Sequence, residues 1–180
     1  MTEFEQQSNF GRLAESLFAL NCSFFAVELI NLLTEEYDPH PGLFDSFLGF
    51  LQKANEQRAT NNRQQDILVL LILFQLTLLK EVGLEPILKT CANCKTSFSA
   101  AWPKVYFSSL ANGLICRDCE DSFPDKSRLT GAAASRLSNP DLLARSQEKM
   151  LDEIENVLIY HFTELLHKPP KMAKYVSKIR

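Results

Sequence analysis

Apolar residues recur every three or four positions along the first ninety residues, which is the spacing of amphipathic helices. The spacing predicts three helices, over about residues 8–36, 42–56 and 63–82. Ser8 or Asn9 is expected to cap the first helix, because short polar side chains accept hydrogen bonds from free amides at a helix start. The segment YDPHPG separates the first two helices, since proline cannot occupy a helix interior. Gly83 is expected to end the third helix in a left-handed conformation.

Each of the first two helices is expected to turn one apolar stripe inward. The stripe of the first comprises Leu13, Leu17, Leu20, Phe24, Val27, Ile30 and Leu33, and that of the second comprises Leu43, Phe44, Phe47, Leu48 and Leu51. The third helix is apolar on nearly all sides, so we expect other helices to surround it. Its most apolar run, 67–79, is thirteen residues long, whereas a membrane span needs about twenty. We therefore predict a buried helix and no membrane association.

The segment 84–126 differs from the rest, because it is rich in turns, cysteine and β-prone residues. Its Asn112-Gly113 dipeptide is a strong hairpin signal. Beyond it, helices are predicted over about 127–137 and 146–167, with a break at Asn139-Pro140. The predicted fold is mainly α: a helical bundle-like domain with an inserted small β-hairpin, zinc-ribbon-like module. The predicted division is a helical part (1–83), a four-cysteine zinc module (84–126) and a second helical part (127–180) that packs on the first.

Four of the five cysteines form two C-x-x-C pairs, Cys91/Cys94 and Cys116/Cys119, with 21 residues between the pairs. Two such pairs at this separation are typical of a zinc site. Zn²⁺ prefers four tetrahedral ligands, and a tight turn with two intervening residues directs two thiolates at one point. A closed set of four cysteines leaves no position for water or substrate, so the zinc would be structural.

Other interpretations of the cysteines remain open. A thioredoxin-like motif requires one C-x-x-C near a βαβ pattern, and two disulfides require an oxidising compartment. No secretory signal precedes residue 15, so we expect reduced thiols in the cytoplasm. Cys22 lies in an apolar stretch and is expected to be an inert core residue.

A structural zinc would compensate for the small number of core side chains in this segment. The apolar candidates are Trp102, Val105, Tyr106, Phe107, Leu114, Ile115 and Phe123. A segment of about forty residues rarely folds without a metal, a disulfide or a partner. Structural zinc contributes on the order of 10 kcal/mol in small zinc-binding peptides.

The stretches EVGLEPILKTCANC and VYFSSLANGLICRDC, set between helical segments, resemble the C-terminal region of the RecO family of bacterial DNA repair and recombination mediators. The likeness extends from about Phe10 to Arg180, and its most specific part is Gly83–Cys119. The family commonly has glycine after the second cysteine, where this chain has Lys95. RecO proteins also carry an N-terminal OB-fold, for which this chain has no room. Either it is a fragment or it is a shortened family member.

The resemblance implies a non-enzymatic protein that binds single-stranded and double-stranded DNA. It also implies partners like RecR and the single-stranded DNA-binding protein, a cytoplasmic location with nucleoid association when DNA is bound, and no small-molecule substrate. The family's zinc ligands correspond to Cys91, Cys94, Cys116 and Cys119. If only this region is present, the implied role is partner docking with auxiliary DNA contact.

The charge distribution favours the second half of the chain for any contact with DNA. Residues 1–90 carry 6 Lys or Arg against 12 Asp or Glu, and residues 91–180 carry 13 against 10. Basic side chains neutralise phosphates and release counterions. The candidate DNA contacts are Arg117, Lys126, Arg128, Lys168, Lys171, Lys174, Lys178 and Arg180. A solvated chain terminus is the competing interpretation of the last five.

Aromatic side chains offer two further hypotheses. Trp102 and Tyr175 are candidates for base stacking, whereas Tyr106 and Phe107 are expected to fill a small core beside the zinc. The side chains of Phe44, Phe47 and Phe50 either line a groove for the hydrophobic end of a partner peptide or pack in the core.

The sequence contains no phosphate-binding glycine-rich loop, no H-E-x-x-H and no G-x-S-x-G, and we therefore expect no enzymatic activity. The main alternative is a helical zinc-ribbon adaptor that does not bind DNA. A thiol oxidoreductase is a third possibility, and it would hold no tightly bound metal.

Overall fold

A computed structural model describes residues 10–56 and 63–177. The helices in these ranges are α1 (Leu17–Leu33), α2 (Pro41–Glu56), α3 (Arg63–Glu81), α4 (Gly131–Ser138), α5 (Glu148–Leu166) and α6 (Ala173–Val176). The strands are β1 (Val105–Ser108), β2 (Gly113–Cys116) and β3 (Ser127–Leu129). Short 3₁₀ helices lie at Gly11–Glu15, Arg117–Ser122 and Pro140–Arg145. The expected mainly helical fold with a small β-sheet and a cysteine cluster is confirmed.

Helix α3 lies at the centre of the helical part and packs against α1, α2 and α5. Ile67, Leu71 and Ile72 are fully buried, as expected for a helix that is apolar on nearly all sides. Gly83 follows the helix with φ +76°, so the expected left-handed helix end is confirmed. None of the helices in the described part of the chain is long and apolar enough to span a membrane.

The inward face of α1 differs from the predicted stripe. Leu17, Phe24 and Val27 of the predicted stripe are 73%, 52% and 38% exposed, whereas Ala19, Cys22 and Ala26 are fully buried. Phe25 and Leu29 are fully buried as well, so the buried face is displaced around the helix from the predicted stripe. Periodicity could not choose between the faces, because α1 is apolar around most of its circumference. The helix also starts later than expected.

Helix α1 begins at Leu17, directly after Ser16. The Ser16 hydroxyl accepts a hydrogen bond from the Ala19 amide at 3.3 Å. This side chain therefore caps α1 after the 3₁₀ turn at Gly11–Glu15. The caps predicted at Ser8 and Asn9 lie outside the described residues.

Helix α2 joins the core through aromatic side chains. The Phe50 ring stacks on Phe74 of α3 at 5.6 Å between centroids, and Phe47 lies 5.8 Å from the same ring. Phe50 is buried, but Phe44 is 65% exposed, so the prediction that Phe44 points inward is wrong. Phe44 lies near the start of α2, where the helix meets the end of α1 at the surface.

The three strands form an antiparallel sheet in the order β2-β1-β3. The third strand corrects the prediction of a helix over 127–137, because residues 127–129 pair with β1 and the helix starts only at Gly131. Thr130 caps α4 by accepting a hydrogen bond from the Ala133 amide. Pairing with β1 gives residues 127–129 an extended conformation although the local pattern is helical. The sequence did not indicate this strand, because three residues show too little periodicity to identify one.

The last helix, α6, packs on α1 rather than extending into solvent. The carboxylate of Glu28 accepts hydrogen bonds from the backbone amides of Lys171 and Met172, both at 2.7 Å. Ala173 and Val176 are buried. The basic tail is therefore attached to the body of the protein as far as the described residues extend. The division at residues 83 and 126 stays a prediction.

Candidate functional site

The first cysteine pair lies in a tight turn. The Cys91 amide donates to the Thr96 carbonyl at 2.8 Å, and the Lys95 amide donates to the Cys91 carbonyl at 3.0 Å. Lys95 has φ +63°, a conformation that glycine adopts at lower cost. Its ammonium group donates to the Ala92 carbonyl at 2.8 Å. The turn therefore directs Cys91 and Cys94 to the same side despite the missing glycine.

The second pair follows strand β2. Cys116 is the last residue of this strand, and Cys119 lies in the 3₁₀ helix Arg117–Ser122. The two pairs are joined by the Ala92 amide, which donates to the Leu114 carbonyl at 2.7 Å. Gly113 is also required here, because a Cβ at this position would lie 2.4 Å from the Ile87 carbonyl oxygen. Backbone contacts thus hold both turns against each other.

The four sulfur atoms of Cys91, Cys94, Cys116 and Cys119 all lie within 4.8 Å of one another. The Cys94 and Cys116 sulfurs are 3.7 Å apart. Nitrogen donors also approach the cluster: the Cys116 backbone amide lies 3.5 Å from the Cys91 sulfur, and the Asn93 side-chain Nδ2 lies 3.3 Å from the Cys119 sulfur. Such N–H groups stabilise thiolates. Four sulfurs at this separation could hold one metal ion.

The cysteines differ in exposure and in acidity. Cys91 is fully buried, whereas Cys94 is exposed. Hydrogen bonds with Thr96 lower the pKa of the Cys94 thiol to about 6, while burial and the neighbouring Cys119 raise the pKa of Cys116 to about 12. Four thiolates cannot coexist so close together without a compensating cation, because like charges disfavour ionisation. A divalent ion would stabilise all four.

The sheet beside the cysteines buries both of its faces. Tyr106 and Ile115 pack with the cysteines, whereas Val105, Phe107 and Leu114 join the main helical core. Successive strand residues point to opposite faces, so one short hairpin connects the two hydrophobic clusters. Tyr106 and Phe107 are therefore core residues, as expected. Trp102 is half-buried and packs edge-on against Phe98 at 5.4 Å between centroids.

A polar contact that the sequence did not reveal joins the hairpin to α5. His161 is fully buried, with Nδ1 3.1 Å from the Ser109 hydroxyl and its ring 5.1 Å from Phe107. Burial lowers the pKa of His161 to about 4, so the ring is neutral at pH 7. Asp125, in the segment before β3, accepts hydrogen bonds from the Ser108 hydroxyl and the Leu110 amide of the hairpin, each at 2.9 Å to the nearer oxygen.

The candidate DNA-contacting residues fall into two groups. Lys126 and Arg128 lie beside Tyr106: the Lys126 ammonium is 5.9 Å from the ring centre, and Arg128 is the strand partner of Tyr106. Arg117 is exposed next to Cys116. Lys168, Lys171 and Lys174 are exposed near or on α6, whereas Lys178 and Arg180 lie outside the described residues. Among the described contacts, none joins the two groups.

The phenylalanines of α2 have different environments. Phe50 belongs to the core, while Phe44 and Phe47 line a groove against α1. A second buried polar contact was also absent from the sequence analysis: Gln75 of α3 donates to Glu155 of α5 at 2.8 Å, and both residues are fully buried. Burial raises the pKa of Glu155 to about 8. Helical spacing alone gives no sign that this acid faces inward.

The protein is therefore mainly helical, with a small zinc-ribbon-like sheet beside four cysteines that could bind one metal ion. Comparison with known families identifies the particular group. Residues 14–173 match the model described as "Recombination protein O C terminal". The chain therefore belongs to the RecO C-terminal family, and the resemblance to RecO is confirmed.

Curated relatives agree with this assignment. "DNA repair protein RecO" of Bacillus pumilus (strain SAFR-032) is 27% identical over 178 residues, covering 93% of this chain and 64% of the relative. The protein of the same name from Bacillus subtilis (strain 168) is 27% identical, with coverage of 84% and 58%. That of Anaeromyxobacter dehalogenans (strain 2CP-C) is 31% identical, with coverage of 78% and 53%.

The chain spans less than two thirds of the length of these three relatives. Family membership supports a role in DNA repair and recombination. Comparison with solved structures gave no match.

Proposed function

We propose that this chain is a non-enzymatic scaffold in recombinational DNA repair, which docks protein partners and adds a contact to DNA. The observation that carries the proposal is the match of residues 14–173 to the RecO C-terminal family. The proposal locates the chain in the bacterial cytoplasm, at the nucleoid when DNA is bound. Its partners would be of the RecR type and single-stranded DNA-binding proteins.

Zinc is the metal that fits the cysteine cluster best. Four sulfur ligands with tetrahedral preference select zinc or an iron–sulfur centre, and two C-x-x-C turns on a β-hairpin are the usual frame of a structural zinc. Cys91, Cys94, Cys116 and Cys119 would hold it. The ion would fix the hairpin against the turn at 91–96, with no part in chemistry.

The DNA contact would use the basic residues of the second half of the chain. Lys126, Arg128 and the exposed Arg117 are close to the cysteine cluster, so a bound metal would hold their backbone in place. The tail lysines are held through Glu28 and α1. A basic side chain on an ordered backbone loses less conformational entropy when it binds a phosphate than one on a disordered backbone.

The test is to measure the affinity for a fluorescent oligo-dT strand as a function of NaCl concentration. Replacing Lys168, Lys171 and Lys174 by Ala should reduce the slope of log K against log salt by about two units, since each phosphate contact contributes about 0.7. Replacing Arg117, Lys126 and Arg128 should have an effect of similar size.

Zinc should be found at about one ion per chain by mass spectrometry.

A matched control removes three exposed lysines elsewhere: Lys53, Lys80 and Lys149. This variant carries the same change in net charge and should keep the slope. If the salt dependence of binding decreases equally in the control and test variants, net charge alone explains the affinity and the proposed contacts are wrong. If the chain binds no DNA at low salt but binds protein partners, the adaptor alternative replaces the proposal.

A further inference from the structure

A concave apolar surface lies where the second half of α1 meets the start of α2. The groove has a volume of about 390 Å³. Val27 and Ile30 line it from α1, and Leu43, Phe44 and Phe47 line it from α2. Asp38 and His40 from the connecting segment complete the rim.

The groove combines exposed apolar side chains with a fixed floor. Phe44 is 65% exposed and Val27 is 38% exposed, so apolar surface faces solvent there. Phe47 is held by its packing against Phe50 and Phe74, at 6.5 and 5.8 Å between ring centroids. A concave apolar site that exists before binding loses little entropy on binding.

The helix ends and the connecting segment that form the groove are rich in acidic residues, and one of these, Asp38, lines the groove itself. Residues 27–47 contain five acidic residues and neither Lys nor Arg. One of the five, Glu28, already accepts hydrogen bonds from the backbone at residues 171 and 172. The other four, Glu35, Glu36, Asp38 and Asp45, are exposed. Asp38 contacts His40, with Oδ2 3.2 Å from Nε2, and the other acids of the segment have no basic neighbour within it.

We propose that this groove docks a short segment of a partner protein that carries two apolar side chains flanked by Lys or Arg. The apolar side chains would cover Phe44 and Val27 and so remove their exposed apolar surface from water. The flanking cations would face Glu35, Glu36 and Asp38, which favours association and excludes acidic segments. The inference deepens the docking part of the proposed function and rests on it, but it is independent of the DNA contact.

Peptide binding by fluorescence anisotropy tests the inference. The probe is a fluorescein-labelled peptide with Leu and Phe three positions apart and two lysines on each side. Two matched peptides carry aspartate or serine in place of the lysines. The lysine peptide should bind at least about tenfold more tightly than the aspartate peptide, and its affinity should fall with salt.

Two variants separate the apolar and the charged contributions. Phe44→Ala should weaken the binding of the lysine peptide by about tenfold, as expected when an aromatic side chain is removed from an interface. Phe24→Ala is the matched control, because Phe24 is 52% exposed on α1 but does not line the groove. Changing Glu35→Gln, Glu36→Gln and Asp38→Asn together should make the lysine and serine peptides bind alike.

The inference is wrong if no peptide binds, if the aspartate peptide binds as tightly as the lysine peptide, or if Phe24→Ala and Phe44→Ala weaken binding equally. Self-association that Phe44→Ala abolishes would assign the groove to a second copy of the chain and would also overturn the inference. The groove variants should retain their affinity for oligo-dT, so a failed docking site and a failed DNA contact give different results.

Discussion

The helical body and the cysteine module differ in what stabilises each of them internally. The helical body consists of α1 to α6, and the cysteine module consists of residues 84–129. In the body, α3 alone buries Ile67, Leu71 and Ile72 completely, so apolar burial is sufficient to hold the helices. The module has only a small cluster of its own, Tyr106 and Ile115 beside the cysteines. A metal would have to supply what this cluster lacks.

The two regions are nevertheless not independent. Phe107 and Leu114 of the module belong to the core of the body, and His161 of α5 reaches the Ser109 hydroxyl. The sheet therefore has one face stabilised by the body and the other by the cysteines. We therefore expect that loss of the metal would first disorder the face of the sheet that packs on the cysteines. Loss of the helical core would destabilise both regions.

The largest effect should come from removing a sulfur ligand. Cys116→Ser is expected to abolish tight zinc binding and to expose the amides of residues 84–129 to hydrogen exchange, because the stabilisation by zinc is on the order of 10 kcal/mol. The body should keep most of its helical signal in circular dichroism. Cys22→Ala, a change at a fully buried cysteine outside the cluster, should leave zinc content unchanged. Full zinc content in Cys116→Ser would refute the site.

A large-to-small change in the body should be the next largest effect. Phe74→Ala removes a nearly fully buried ring that packs against Phe47 and Phe50, and is expected to lower the free energy of unfolding by about 3–5 kcal/mol. Chemical denaturation measures this loss. Phe44→Ala, at an exposed ring of the same type, should cost less than about 1 kcal/mol. Equal losses would mean that α2 does not pack as described.

Glu155 should make the stability of the body fall as the pH rises from about 4 to about 8. Its pKa is raised to about 8 by burial, so the folded state retains a proton that the unfolded state loses above pH of about 4.3. The contribution of Glu155 to stability is therefore complete below that pH and is lost as the pH rises towards about 8, by up to about 1.4 kcal/mol per unit.

Denaturation of Glu155→Gln between pH 5 and 9 tests this dependence. The variant keeps a neutral side chain next to Gln75, and it should lack the part of the decline that Glu155 causes. Glu148→Gln is a control on the same helix, where the side chain is exposed. A wild-type and a Glu155→Gln curve of the same slope would show that the acid is not protonated in the folded state.

The smallest effect should come from the residue that follows the first cysteine pair. Lys95→Gly would relieve a left-handed conformation at φ +63° and should tighten zinc binding by about 1 kcal/mol or less, because glycine adopts this conformation at little cost. Competition with a chelator measures the affinity. Lys95→Ala should not tighten binding, since alanine retains the Cβ. Equal affinities for both variants would show that the backbone at this position is not strained.

Much of the architecture could be predicted from the sequence. The bounds of α2, α3 and α5 agree with prediction to within two residues, because caps, proline and glycine mark helix ends locally. The hairpin at Asn112-Gly113 is confirmed, although its connection comprises residues 109–112. The convergence of the cysteine pairs was predictable because the hairpin between them returns the chain to the same place.

Other features could not be predicted. The predicted stripe of α1 was wrong at Leu17, Phe24 and Val27, because an apolar helix offers several possible faces and only its neighbours select one. Strand β3 was missed because three residues acquire their conformation from pairing with β1. The contacts of Glu155 with Gln75 and of His161 with Ser109 join residues about eighty and fifty positions apart, and no local pattern specifies them.

By itself, the sequence determined the order of the helices, the position of the hairpin and the four sulfur ligands, since turns, caps and ligand spacing act within a few residues. Only the tertiary structure decided which face of α1 is buried, where the basic tail is attached and that Phe44 lies in an exposed apolar groove beside Asp38. These features depend on contacts between distant segments, whose free energies are settled by packing rather than by local preference.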